Sequence, residues 1–326
     1  MARRRRGRPV HGWVNLDKPA GIGSTRAVSI VRRAFDAQKA GHAGTLDPLA
    51  SGVLPVALGE ATKTVSFVMD GRKSYRFTVR WGEARDTDDS EGAVVATSGR
   101  RPTEAEIERA LPAFVGEIAQ APPAFSAVRV DGERAYRLAR AGTPVAPAAR
   151  QVVIDRLALV ETVDAERAVF EMDCRKGAYV RSLARDLAVA LGTVGHVSAL
   201  RRTRNGPFRD CDAIPLEKLP EPRHMGAQDG GAPGVSAVGD VSAIECAALL
   251  QPVAKALDDI PALDVTESEA ARIRNGQPVP VLRTGNRRRI DGLPDNAPLC
   301  ALLNGEAIAL MRLSGRSAQP VRVFNL

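Results

Sequence analysis

Residues 41–52 read Gly-His-Ala-Gly-Thr-Leu-Asp-Pro-Leu-Ala-Ser-Gly, the densest polar constellation in a glycine- and proline-rich setting. Asp47 lies between apolar Leu46 and Leu49, and Pro48 stiffens the backbone after it. A carboxylate on such a loop can act as a nucleophile or base when a cation keeps it ionised. The same segment also fits a plain loop aspartate that opens a turn before proline, and spacing alone favours that plainer role. Outside the carboxylate, the residues that draw notice, His42, Tyr75, Trp81, Tyr179, Arg181 and Leu200, have no comparable setting. Taken singly, each fits a structural role. Tyr75 and Trp81 fit core-facing strand aromatics, Tyr179 and Arg181 a strand-to-helix junction, Leu200 the core, and His42 a polar loop.

The elements that must position these residues follow from periodicity. A short strand ends near Leu16, before the turn Asp17-Lys18-Pro19-Ala20-Gly21. Ser24 is expected as the N-cap of a helix carrying Val28, Val31 and Phe35 on one side and Arg32 and Arg33 on the other. Residues 41–59 hold four glycines and two prolines, which predicts a long structured loop with a buried Val53–Leu58 portion. Tyr75, Phe77, Val79 and Trp81 alternate with Arg76, Thr78 and Arg80, the pattern of a half-buried strand. The acidic stretch Glu83 to Glu91 reads as a turn or loop, and Thr103 with Glu106 as a capping box. Val152–Val160 and Ala168–Cys174 read as strands. Val180, Leu183, Leu187 and Leu191 then recur at helical spacing, with Gly192 as the stop. Small residues and glycines between about Pro220 and Ser242 predict a linker or insertion. A small second domain is expected beyond it, with a short helix from Thr266 to Asn275 and strands at Val279–Leu282, Ala307–Leu313 and Val321–Phe324.

Composition narrows the class. The 326 residues carry 46 Lys and Arg against 38 Asp and Glu, a net charge of +8, which favours anionic partners. Hydrophobic residues make up 44% and charged ones 26%, as in an ordinary globular chain of one large or two smaller domains. No apolar stretch approaches the roughly 20 residues of a membrane span. Five arginines in residues 1–8 are not followed by an apolar run, so a signal peptide is not expected, and the chain is expected to be cytoplasmic. Cys174, Cys211, Cys246 and Cys300 are widely separated, and His11, His42, His196 and His224 form no ligand pair. Neither disulfides nor a metal are expected.

The blocks acquire a specific meaning in combination. Residues 41–63, GHAGTLDPLASGVLPVALGEATK, resemble the active-site motif of the TruB-type pseudouridine synthases, which modify uridine 55 in the T loop of tRNA. Leu16-Asp17-Lys18-Pro19 resembles the family's Lys-Pro turn, and residues 21–25 the segment after it. Residues 122–127 and 132–136 resemble the region leading into an RNA-gripping thumb. Lys176 to Leu183 resembles the third active-site motif, and Leu200-Arg201-Arg202-Thr203 the apolar residue and basic pair that follow it. The order holds over about residues 10–218.

The resemblance implies roles. Asp47 matches the nucleophile and Arg181 the arginine that pairs with it. Tyr75 matches the tyrosine that stacks on the target base and assists proton transfer, and Tyr179 the second active-site tyrosine. Leu200 matches the apolar wall, Lys18 a lysine that braces the loop at the RNA site, and His42 the histidine that fills the gap left in the T loop. Extruding a base from a folded loop costs a few kcal/mol, and a flat ring can stack in the gap. The isomerisation needs neither redox change nor group donor, so no cofactor is implied. Attack at C1′, attack at C6 and a glycal route all remain open. The acidic loop departs from the family's Arg-Thr-Asp-Thr: Asp86-Thr87 is kept, but Ala84-Arg85 replaces the Arg-Thr. That puts in doubt any RNA contact by the missing arginine.

The thumb, about residues 125–150, carries Arg129, Arg134, Arg137, Arg140 and Arg150 against Asp131 and Glu133, which suits an RNA clamp or a solvated hairpin and helix. The implied fold is α+β: a mixed, largely antiparallel sheet with flanking helices and a central catalytic cleft. The implied organisation is a basic tail at 1–9, a catalytic domain at 10–220, a linker at 221–242, and a β-rich PUA-like domain at 243–326 that touches the acceptor arm. A monomer without obligate protein partner or membrane attachment is expected, with tRNA as partner. Three alternatives stay open: a non-catalytic structured-RNA-binding protein or tRNA chaperone, a nucleotide-dependent modifying enzyme, and a T-loop-like uridine in another RNA. The Arg3–Arg6 run fits either phosphate contacts or a solvated tail.

Overall fold

The alternating segment around Tyr75 is the centre strand of a large sheet. The computed structural model describes residues 7–126, 128–130, 132–141, 147–220, 248–281, 290 and 292–326, without the side chains of Arg129, Val130, Arg134 and Arg140. Strand β1 (Gly12–Lys18) leads into helix α1 (Ser24–Ala34), then β2 (Ala40–His42), β3 (Ser51–Leu58) and helix α2 (Val65–Asp70). Next come β4 (Lys73–Trp81), the hairpin β5 (Glu83–Arg85) and β6 (Val94–Thr97), helix α3 (Glu104–Ala110) and β7 (Gly116–Gln120). A small hairpin, β8 (Arg129–Val130) and β9 (Glu133–Arg134), and helix α4 (Ala135–Arg140) fill the thumb. The N-terminal part closes with β10 (Arg150–Asp164), β11 (Arg167–Cys174), helix α5 (Val180–Ala190), β12 (Gly195–Asn205), β13 (Phe208–Arg209) and β14 (Ile214–Pro215). The C-terminal part holds β15 (Ala262–Asp264), helix α6 (Glu267–Arg274), β16 (Val279–Pro280), β17 (Pro298–Leu303), β18 (Glu306–Ser314) and β19 (Ser317–Val323).

The main sheet runs β14-β1-β3-β12-β4-β11-β10-β7, with β2 on β3 and β13 on β12. Only β1–β14 and β3–β12 pair in parallel, so the mixed, largely antiparallel expectation holds. Leu54, Val56 and Leu58 face the core shared with Val31 of α1, Ile107 of α3, and Leu183 and Leu187 of α5. Val53 and Ala57, the alternate residues, face a second cluster with Leu257, Leu310 and Phe324. Two-sided burial explains why this strand reads as a continuous apolar run.

Three expectations change. Residues 41–59 are not one long loop: β2 and β3 flank a loop of only residues 43–50. Gly52 reads as a breaker, yet it permits the strand. Its φ of +99° and its approach to β12, where a Cβ would collide with the Arg202 carbonyl, exclude other residues. Gly23, not Ser24, is the N-cap of α1. Part of the acidic stretch, Glu83–Arg85, is a strand rather than a loop.

The Thr103–Glu106 capping box and the Thr266 helix start are as expected. The strand β17 has no counterpart in the sequence reading. Residues after 248, assigned by sequence to the C-terminal domain, first dock on the main sheet: Gln251 and Trp13 exchange backbone hydrogen bonds of 2.8 Å. The proposed linker at 221–242 and the Arg3–Arg6 run lie outside the described residues. Among the described residues, no helix is long and apolar enough to cross a membrane.

Candidate active site

The loop carrying Asp47 is held by its backbone. Arg202 of β12 is 1% exposed, and its guanidinium donates to the carbonyls of Gly44 (3.0 Å), Thr45 (3.4 Å) and Val53 (2.8 Å). Asn205 donates to the Ala43 carbonyl. Ser24 Oγ accepts from Leu46 N and donates to Leu46 O, both at 2.8 Å, so the hydroxyl read as a helix cap fixes the residue before Asp47. Lys18 is fully buried and donates to the carbonyls of Pro19 (2.9 Å), Ile22 (2.7 Å) and Pro48 (3.4 Å). Burial pushes its ammonium down to about 8, against the opposing pull of Asp47. Lys18 therefore braces the loop and presents no ammonium to an RNA surface.

Helix α5 delivers the cation. Its stripe of Val180, Leu183 and Leu187 faces the core, leaving Arg181 and Arg185 one turn apart on another side. Arg181 Nη2 lies 2.9 Å from Asp47 Oδ2, with the arginine 5% and the aspartate 36% exposed. Its Nη1 meets buried Asp89 at 3.4 Å, and the guanidinium also donates to the carbonyls of Thr87 (2.7 Å) and Phe125 (3.0 Å). Asp89 is further held by the Thr87 hydroxyl at 2.6 Å and Glu91 N at 3.0 Å. One guanidinium thus joins a half-open carboxylate to a closed one. Asp47 is fixed in direction while part of it stays accessible, the state required of an anionic nucleophile or base.

Tyr75 of β4 stands opposite Arg202 of β12, with Phe77 opposite Leu200. Burial pushes the Tyr75 phenol up, while the adjacent Arg202 charge and hydrogen bond pull it back. Tyr179 caps α5, its backbone N–H donating to Gln120 Oε1 at 2.7 Å. Burial and then the Asp47 charge push its phenol up, so both tyrosines stay protonated beside the carboxylate. Leu200 is buried in the same cluster. His42 ends β2, and burial followed by the Arg202 charge holds its imidazole below the usual range. Its Nδ1 has no protein partner. A neutral ring of this kind can stack on a base without carrying a charge into the stack.

The structure brings Asp47, Arg181, Tyr75, Tyr179, Leu200 and Lys18 together. In the thumb, Arg137 is exposed on α4, while the side chains of Arg129, Arg134 and Arg140 lie outside the described residues. Arg85, at the departure from the family pattern, turns inward to the carbonyls of Ser90 and Gly92 and to Glu83. Sequence reasoning missed Asp89, Ser24 and the role of Arg202. For Asp89 the signal was an aspartate run on a loop that ought to be solvated; for Arg202 it was the alternation of β12, which turns one arginine of the basic pair inward.

The chain has relatives among known proteins. A family model described as TruB family pseudouridylate synthase (N terminal domain) matches residues 32–180, and one described as tRNA pseudouridylate synthase B C-terminal domain matches residues 181–258. The tRNA pseudouridine synthase B of Bradyrhizobium diazoefficiens is 52% identical over 328 residues, covering 99% of this chain and 88% of that protein. Its counterpart in Rhodospirillum rubrum is 50% identical over 326 residues, covering 100% of both. Among solved structures, a Cbf5-Nop10-Gar1 complex aligns with TM-score 0.69 at 26% identity, over 96% of this chain and 85% of the other. An H/ACA RNP bound to a substrate RNA containing 2′-deoxyuridine shares the fold, with TM-score 0.70 at 24% identity over 100% and 92%.

Proposed function

The chain belongs to the TruB family of pseudouridylate synthases, and from that premise we propose that it isomerises uridine 55 in the T loop of tRNA to pseudouridine, with Asp47 as nucleophile. The observation that supports this most is the 2.9 Å contact between Asp47 and Arg181, with Tyr75, Tyr179 and Leu200 around it. In the reaction the N1–C1′ bond breaks, the uracil turns, a C5–C1′ bond forms, C5 loses its proton and N1 gains one. Asp47 supplies the carboxylate oxygens that attack, and Arg181 holds them aimed. The target base is flipped from the T loop to reach Asp47, stacks on Tyr75, and is confined by Leu200. His42 occupies the gap the base leaves.

The rest of the tRNA is held electrostatically. Thumb arginines 129, 134, 137 and 140 neutralise phosphates beside the cleft. The C-terminal sheet is a PUA-like domain that meets the acceptor arm. A groove of about 300 Å³ between it and α2 is lined by Arg312 and Arg322 with Phe67 and Val321, and by Lys63, which is paired with Glu60; the two arginines give it a cationic and partly apolar surface fit for a nucleic-acid backbone. The protein acts as a monomer in the cytoplasm.

The test is tritium release from a tRNA transcript labelled at C5 of uridine, with wild type and Asp47→Asn. Release at a single T-loop uridine by wild type and none by the variant is expected. Equal release by both would remove Asp47 as nucleophile. No release by either, with tRNA still bound, would leave an RNA-binding protein or folding chaperone.

A further inference from the structure

Arg181 is one of two arginines on α5 that bridge the same pair of segments. Arg181 reaches the acidic loop at Thr87 O and Asp89, and the segment after β7 at Phe125 O. One turn along, Arg185 reaches the acidic loop at Asp88 Oδ2 (2.9 Å) and the segment after β7 at Ala121 O (3.1 Å). Between them, Ser182 Oγ donates to Ala121 O at 2.7 Å. Asp186 holds Arg185 Nε at 2.9 Å and so orients its guanidinium. The two arginines form consecutive rungs of one ladder, of which only the first contains Asp47.

Asp88 is an unusual place for a rung. Its φ is +58°, a left-handed conformation that residues with a Cβ rarely adopt. Its carbonyl accepts from Val197 N of β12 at 3.1 Å, and Ser90 N donates to Val197 O at 3.1 Å, so the backbone here is pinned to the sheet. Its side chain is 14% exposed, and burial pushes the carboxyl up against the field of Arg185. A strained backbone and a desolvated carboxylate meet at one residue, immediately before the aspartate that faces Arg181. A displacement of Asp88 carries Asp89 with it and changes how Arg181 is shared between Asp89 and Asp47.

We propose that Arg185 and Asp88 are a positioning pair for the isomerisation: their ion pair sets the acidic loop in register so that Asp89 holds Arg181 on Asp47. The proposal rests on the functional reading above. Neither residue meets Asp47 in the structure, so both act through Arg181.

The test compares wild type with Arg185→Met, Asp88→Asn, the double variant, Arg185→Lys and Asp88→Gly. Single-turnover tritium release, the Kd for the tRNA transcript and the thermal midpoint are measured for each. Arg185→Met and Asp88→Asn are each expected to slow the single-turnover rate about tenfold, with Kd unchanged within about twofold. The double variant should be no slower than the slower single one, because the two share one interaction. Arg185→Lys should recover part of the rate. Asp88→Gly separates positioning from structure. Glycine relieves the left-handed backbone, so the midpoint should hold or rise while the rate still falls. Singles that react at the wild-type rate, losses that multiply in the double variant, or a loss confined to Kd would each overturn the pair. A wild type that makes no pseudouridine overturns the functional reading and the pair with it.

Discussion

Arg201 and Arg202 are neighbours in β12, yet the two faces of the sheet hold them in opposite ways. Arg201 is 37% exposed and makes a bidentate pair with Asp17, at 3.0 Å for each contact. Arg202 is closed off from solvent and donates to the carbonyls of Gly44, Thr45 and Val53. The same division continues across the strands. On one face Tyr75, Phe77, Phe170 and Met172 join the core; on the other Arg76, Glu171, Arg156 and Asp173 form an exposed ladder of ion pairs. Strand alternation alone produces this split. Its energetics differ by face, since exposed pairs contribute about 0–1 kcal/mol and a buried cation without partners is strongly unfavourable. Arginine on the solvent face decorates the sheet. On the cleft face it fixes the position of the loop and of Asp47.

The largest effect expected from breaking this contrast is at Arg181. Arg181→Met should lower the single-turnover rate by at least about 100-fold, because Asp47 loses its oriented cation and Asp89 is left buried without one. Arg181→Lys should recover only part, since an ammonium cannot reproduce a fork that meets two carboxylates and two carbonyls. Rapid-quench measurement with saturating enzyme checks both. Wild-type rates in Arg181→Met would show that the cleft face is no more demanding than the solvent face.

How far sequence anticipates the cleft follows the same division. The strand carrying Tyr75 and the helix carrying Arg181 are legible because their apolar periods are regular, and residues 41–63 are legible as a family motif. Asp89 was not, because an aspartate in an acidic run looks solvated until the loop folds back on α5. Ser24 was legible as a helix-start residue but not as the clasp on Leu46, which depends on a contact 22 residues away in sequence. β3 was obscured by Gly52 and Pro55, residues that end strands in isolation. Here glycine allows β3 to approach β12. Long-range backbone contacts of this kind leave no periodic trace.

At Arg202 the effect should be on stability first. Arg202→Met fills similar space but withdraws the guanidinium donors from the carbonyls of Gly44, Thr45 and Val53. With about 1–3 kcal/mol for a buried group left unsatisfied, a loss of about 3 kcal/mol is expected. Urea denaturation measures it. A variant as stable as wild type would mean that the loop is held by Lys18, Ser24 and Asn205 without Arg202. Ser24→Ala should cost less, about 1–2 kcal/mol, for one hydroxyl that both accepts from and donates to Leu46. It should also slow tritium release, because Leu46 precedes Asp47.

The smallest effect belongs to the outer ladder. Arg156 is 56% exposed and approaches Glu171 at 3.3 Å and Asp173 at 4.0 Å. Arg76 also serves Glu171, at 3.7 Å, so the carboxylate is not left alone when Arg156 is removed. Arg156→Ala should therefore change unfolding free energy by less than about 0.5 kcal/mol, with a response that salt screens further. Parallel urea titrations at low and high salt check this, beside Arg202→Met as the buried counterpart. A loss at Arg156 comparable with that at Arg202, persisting at high salt, would mean that burial is not what separates the two faces. The division of labour across the sheet would then need another cause.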